Sequence, residues 1–235
     1  MKKLLLFVML LSSYTISSFA QSLYSNTSCS SRFNPGLGRK GTPIVAYDDV
    51  YIPSTLAGGS DVISITKINV GIRRAPYAPA TTLKLYYTIL KQSPKFNKMV
   101  AKKIFLGKVK LPANGNSLIT SVVSVGDSAT ALFKITADTN MAKNGYKILI
   151  GTSLDNPSPR NGVILGKALA ENEDSIWIEN TDNTKEVYAT SLSSQLPSSY
   201  YLEVFGKGDN PVMADDKNSL SHVARITPTD LQVSK

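Results

Sequence analysis

Residues able to carry chemistry are sparse in this chain, and their types narrow the choice. His222 is the only histidine and Cys29 the only cysteine. A Ser-His-Asp triad would have to use His222, which lies in a polar C-terminal segment, and the chain holds no nucleophile-elbow pattern. Tetrahedral zinc needs several His or Cys ligands, so one of each excludes a site of that kind. A lone cysteine forms no internal disulfide. Asn26-Thr27-Ser28 stands before Cys29, where lipidation would need the apolar run and a small residue.

Carboxylates leave more room. Glycoside hydrolysis needs two of them at a set separation, and Glu171, Glu173, Asp174, Glu179 and Glu203 are the candidates. The first three share one polar turn, the ordinary place for solvated charge, so a glycan-active hydrolase ranks third among the readings. Calcium is the one cofactor left open, because loops readily supply oxygen ligands. Asp48 and Asp49 with Asp61 form one candidate set; Asp209, Asn210, Asp215, Asp216 and Asn218 form another. Neither has EF-hand spacing. Adjacent aspartates in a strand point to opposite faces, so only one of Asp48 and Asp49 can ligate from regular strand geometry.

Binding chemistry is better represented. Trp177 lies between Ile176 and Ile178. If those isoleucines face the core, Trp177 faces outward as a platform for a sugar ring; the alternative is a strand buried on both faces. Tyr86 sits on the polar face of its own strand, between Lys84 and Thr88. The net charge is +9, or +7 once Lys2 and Lys3 are removed with the leader described below. No Asp or Glu occurs anywhere in residues 62–126, which hold Lys84, Lys91, Lys95, Lys98, Lys102, Lys103, Lys108 and Lys110 among others. A single-sign block of this kind favours acidic partners. Two explanations apply: protection of an exposed sheet edge, or docking of an anionic glycan, surface polymer or membrane. Lysine without interleaved arginine is poor at bidentate recognition. Nucleic acid is excluded as the partner by the absence of a recognition motif and by the export signal.

That signal is the N-terminus. Met1-Lys2-Lys3 is a positive n-region, residues 4–11 an apolar h-region and Ser18-Phe19-Ala20 a small-x-small cleavage site. These predict a chain cleaved after Ala20 and placed outside the cell or on its surface. No later stretch approaches the ~20 apolar residues of a transmembrane helix.

Strands must position these groups. The pattern is clearest in residues 47–89, where Leu83, Leu85, Tyr87 and Ile89 share one face and Lys84, Tyr86 and Thr88 the other. In the preceding run Ile63 and Ile65 share one parity, but Ile68, Val70 and Ile72 share the opposite one. A switch near Thr66-Lys67 predicts a β-bulge or a strand crossing between sheets. Residues 103–111 and 117–125 read as strands, and Asn114-Gly115 between them predicts a tight hairpin. About ten strands emerge, with turn signals every 8–12 residues or so, as in a β-sandwich. The expected core comprises Leu85, Tyr87, Phe133, Ile148, Leu202 and Val204. The domain plan is a signal peptide over 1–20, an extended lead-in over 21–43, a sandwich over 44–206, and an edge strand or linker over 207–235.

Four features carry a resemblance: Asp48-Asp49 in the first strand, the I-x-x-I-x-V-G-I run of residues 65–72, the paired Tyr86-Tyr87, and the closing YYLEVFG strand of residues 200–206. Together they resemble secreted bacterial jelly-roll accessory modules. The resemblance implies a jelly-roll-like antiparallel sandwich that binds carbohydrate or serves as a spacer; it assigns no site residue. Function is thus expected to be a non-catalytic binding or adhesion module, the alternative being a structural spacer without a ligand. Trp177, Tyr86, Lys95, Lys98, Lys102 and Lys103 are the candidate ligand-binding residues.

Overall fold

The strand whose apolar parity changes half-way is the longest among the described residues and the centre of one of the two main sheets. In a computed structural model the described residues are 20–27, 33–35, 38–39, 42–57, 62–88, 90–91, 99–100, 103–127, 129–136, 145–167, 176–179, 187–190 and 198–209. Residues 1–19 and those beyond Asp209 lie outside them. The chain begins with β1 (Gln21–Asn26), β2 (Phe33–Pro35), β3 (Gly38–Arg39), β4 (Thr42–Pro43), β5 (Ala46–Ile52) and β6 (Val62–Arg74). It continues with β7 (Thr81–Thr88), β8 (Leu90–Lys91), β9 (Met99–Val100), β10 (Ile104–Leu111), β11 (Ile119–Gly126) and β12 (Phe133–Thr136). The last six are β13 (Tyr146–Leu154), β14 (Asn161–Lys167), β15 (Ile176–Glu179), β16 (Val187–Thr190), β17 (Ser198–Tyr200) and β18 (Leu202–Gly208). One 3-10 turn, Ser54–Ala57, follows Pro53.

All but β3, β4, β8 and β9, which pair as two small ribbons, form an antiparallel sandwich. One sheet runs β1-β18-β6-β14-β17, with β11 and β12 also on β6 and β2 on β14. The other runs β10-β7-β13-β5-β15-β16. Register places β18 and then β14 along one edge of β6, and β12 and then β11 along the other. Gln21–Asn26, expected as part of a lead-in, is a strand of the sandwich: β1 pairs with β18 and buries Leu23 and Tyr24.

The expected bulge is present. Phe205 pairs with Lys67 and Gly206 with Ile65, so Thr66 is the extra residue on β6. It lets Ile63 and Ile65 on one side, and Ile68, Val70 and Ile72 on the other, all enter the same core. Gly126 closes this point on the facing strand at φ +82°, where an added Cβ would meet the Thr66 carbonyl oxygen.

The expected hairpin is not. β10 and β11 belong to different sheets, so residues 112–118 carry the chain across the sandwich. Gly115 is not among the described residues with positive φ. Asn114 instead docks this loop on the preceding crossing. Its Nδ2 donates to the carbonyls of Ala75 and Ser117, its N–H to Ala78, and Tyr77 N–H donates to the Gly115 carbonyl. Those bonds satisfy the turn's polar groups without the left-handed backbone of a tight hairpin.

The core lies between the sheets. Leu85, Tyr87, Phe133, Ile148, Leu202 and Val204 are all buried in one cluster, as the alternation requires. Phe133 and Tyr87, from opposite sheets, stack with centroids 4.2 Å apart.

Candidate functional site

β7 turns its polar face, half-buried at Thr82, Lys84 and Tyr86, to the outside of the six-stranded sheet, because Leu83, Leu85 and Tyr87 fill the core side. β10 pairs with it antiparallel, setting Lys108 opposite Lys84, Lys110 opposite Thr82 and Phe105 opposite Tyr86. Strict alternation would put Phe105 and Lys108 on opposite faces. A register shift between Phe105 and Gly107, with Leu106 as the extra residue, brings both to the outer face.

The result is an aromatic pair bordered by cations. Tyr86 and Phe105 meet edge to face with centroids 5.8 Å apart. Phe105 is 48% exposed. Lys103 Nζ stands 5.6 Å from the centre of the Tyr86 ring, within cation–π range. Further along, Lys84 Nζ binds Asp155 Oδ1 at 2.6 Å, and that hydrogen bond raises the lysine's pKa against a smaller opposing effect of desolvation. Lys108 and Lys110 are exposed and form no ion pair among the described residues. Beside Lys110 the face ends in an open groove of about 570 Å³, with Thr82, Asp155 and Asn156 along its sides and Leu111 and Pro112 supplying apolar lining.

A transverse row crosses the whole sheet at this level. Pairing aligns Trp177 with Tyr47, Tyr47 with Gly151, Gly151 with Tyr86 and Tyr86 with Phe105. The Tyr47 ring is buried over Gly151, where a Cβ would lie 2.6 Å from its Cε1. Glycine here lets the aromatic row lie flat on the sheet. For Trp177 the structure gives only the backbone register opposite Tyr47.

The other candidates divide. Lys95, Lys98, Lys102 and Asp61 lie outside the described residues. Asp48 and Asp49 are both buried and their carboxylates do not converge. Asp48 points into the sandwich, where its Oδ2 accepts from Ser199 Oγ and Tyr200 N–H, both at 2.8 Å. Tyr24 Oη lies 3.3 Å from the same Ser199 Oγ. Asp49 points the other way and binds Lys147 Nζ at 2.6 Å. The first is a tie between sheets and the second a tie within one. Glu203 accepts from Asn69 Nδ2, and Asp209 from Lys134 Nζ. Among the described residues no three of His, Cys, Asp or Glu gather as a metal site would need, and no helix is long and apolar enough to cross a membrane.

Phe105, Asp155 and Gly151 were not distinguishable from sequence. Phe105 is hidden by its bulge, Asp155 by a turn-rich context, and Gly151 by needing the register of three strands. Comparison with protein-family models, curated proteins and solved structures finds no match.

Proposed function

We propose that this chain is an exported, non-catalytic binding module whose β7–β10 outer face docks an anionic glycan or surface polymer. The observation that carries the reading is the exposed Phe105, held edge-on to Tyr86 beside Lys103, with Lys108 and Lys110, which form no ion pair among the described residues, on the same face. An aromatic ring offers a sugar's apolar face a stacking surface, and lysines without protein anions remain available to carboxylate or sulfate groups. The groove beyond Lys110 extends the surface for a polymer longer than one residue. Among the described residues, Asp48, Asp49, Asp155, Glu203 and Asp209 are engaged with protein donors or cations, while the side chains of Glu171, Glu173, Asp174 and Glu179 lie outside the description. Export rests on the leader-like residues 1–20, and mass spectrometry of secreted material is expected to show a chain starting at Gln21.

The spacer reading has one observation in its favour: β10 pairs only with β7 among the described residues, and lysines on such a strand discourage edge-to-edge pairing. Edge protection requires the charges but not the exposed aromatic pair. A glycan array on the mature protein separates the two. Binding to acidic glycans that falls with Phe105→Ala, and by about two- to fivefold with each of Lys108→Gln and Lys110→Gln, supports docking. An array with no acidic glycan bound would leave the spacer.

A further inference from the structure

One side chain occupies a backbone site that would suit glycine better. Among the described residues Tyr77 is the one non-glycine with a positive φ, +58°. It sits in a β-turn closed by Ala78 N–H on the Ala75 carbonyl at 3.2 Å. Pro76 first and a positive φ second is the type II pattern, whose second position ordinarily takes glycine or asparagine. A bulky residue there is strained, and packing does not account for it, because Tyr77 is 65% exposed. Two neighbouring loops hold the turn rigid. Tyr77 N–H donates to the Gly115 carbonyl at 2.7 Å, Asn114 N–H to the Ala78 carbonyl and Ala75 N–H to the Arg160 carbonyl, both at 2.8 Å. Arg74 Nη2 and Asn161 Nδ2 both donate to the Pro79 carbonyl. The ring is thus presented to solvent on a fixed support, which lowers the cost of ordering it on binding.

The charge around this turn has one sign. Arg160 is exposed, and its Nη1 lies 3.5 Å from the carbonyls of both Pro76 and Tyr77. Contacts that long leave most of the guanidinium's donors open. Arg74, immediately before the turn, is buried and held by Asn161 Oδ1 and the Pro79 carbonyl. Neither arginine forms an ion pair among the described residues. Residues 73–80 and 112–118 contain no Asp or Glu, and the one acid of residues 155–161, Asp155, is bound to Lys84. A cationic surface without free acids favours an anion. The planar guanidinium matches a carboxylate through two parallel bonds, and a fixed tyrosine ring matches the apolar face of a sugar. We infer that the Tyr77 turn is a second binding site, for a pyranose that carries a carboxylate. The uronic acid ring stacks on Tyr77 and its carboxylate bonds Arg160. The site shares no residue with the β7–β10 face, so the two stand or fall separately.

The test uses the mature chain carrying Phe105→Ala, Lys108→Gln and Lys110→Gln, which removes the β7–β10 face and leaves the turn intact. Calorimetry measures its binding to a hyaluronan tetrasaccharide, whose glucuronic acid residues carry carboxylate and no sulfate, beside uncharged chitotetraose. Binding of the acidic fragment is expected, with at least about fivefold preference over chitotetraose. Tyr77→Gly is expected to weaken it by about two- to tenfold without lowering the thermal midpoint, since glycine relieves the strain at φ +58°. Arg160→Lys keeps the charge and loses the fork, and is expected to weaken binding by about two- to fivefold. Equal binding of chitotetraose, or an affinity that either Tyr77→Gly or Arg160→Lys leaves intact, would overturn the site. A lowered midpoint for Tyr77→Gly would do the same, by assigning the ring to packing. Absence of binding in this background would also overturn it, while leaving the β7–β10 face to its own variants.

Discussion

Phe133 and Tyr87 show how much of the fold rests on single contacts between the sheets. Each is almost wholly buried, and each rests on the other's ring. Phe133→Ala removes that stack and opens a cavity, with an expected loss of about 3–5 kcal/mol in chemical denaturation; an unchanged midpoint would show that Phe133 is not core. Asp48 is the polar counterpart. A carboxylate at the centre of a sandwich is tolerated because Ser199 Oγ and Tyr200 N–H both donate to it. Asp209 adds a pH-dependent tie. Burial pushes its carboxyl up, but hydrogen bonds from Lys134 and Ser64 and the charges of Lys134 and Lys207 outweigh this and hold it below the usual range. A lowered folded value means that the contribution is present above about pH 4 and is lost as pH falls through that value. Lys134→Gln is expected to shrink the loss of stability on acidification from about pH 5 to about pH 2. Denaturation midpoints across that range, identical in shape for the variant and the parent, would contradict the tie.

At the scale of elements, the bulges on β6 and β10 differ in legibility. On β6 the apolar residues themselves change parity, from Ile63 and Ile65 to Ile68, Val70 and Ile72, so the irregularity at Thr66 is written in the hydrophobic pattern. On β10 the shift at Leu106 separates an aromatic from two lysines, and no apolar parity records that Phe105 and Lys108 share a face. The alternation of β7 was legible because one of its faces is buried and the other is not. Asn114-Gly115 misled because side-chain and backbone bonds to another loop replaced the local turn, a tertiary choice that local propensity does not contain. β1 was missed because only Leu23 and Tyr24 announce it. Gly126 tests the β6 bulge. Its left-handed φ and its closeness to the Thr66 carbonyl both oppose a side chain. Gly126→Ala is expected to cost roughly 1–3 kcal/mol, against less than that at Gly115, which has open space around it. Equal costs at the two positions would argue that the bulge is not specified there.

For the whole molecule, the β10 and β11 margins carry different chemistry. The six-stranded sheet turns Tyr86, Phe105, Lys108 and Lys110 outward along its β7–β10 margin, while the eight-stranded sheet holds the β6 spine and the uncharged β11 edge. Of the two margins, β10 carries Lys108 and Lys110 and β11 no charge. The salt dependence of binding to heparin tests the proposed docking face most directly. Between 0.1 M and 1 M salt the Debye length shrinks from ~10 Å to ~3 Å. The mature protein is expected to bind at low salt, to weaken steeply across that range, and to lose part of that slope when Lys103, Lys108 and Lys110 are changed to Gln. No binding at low salt, or a slope that the three changes leave intact, would contradict the docking face.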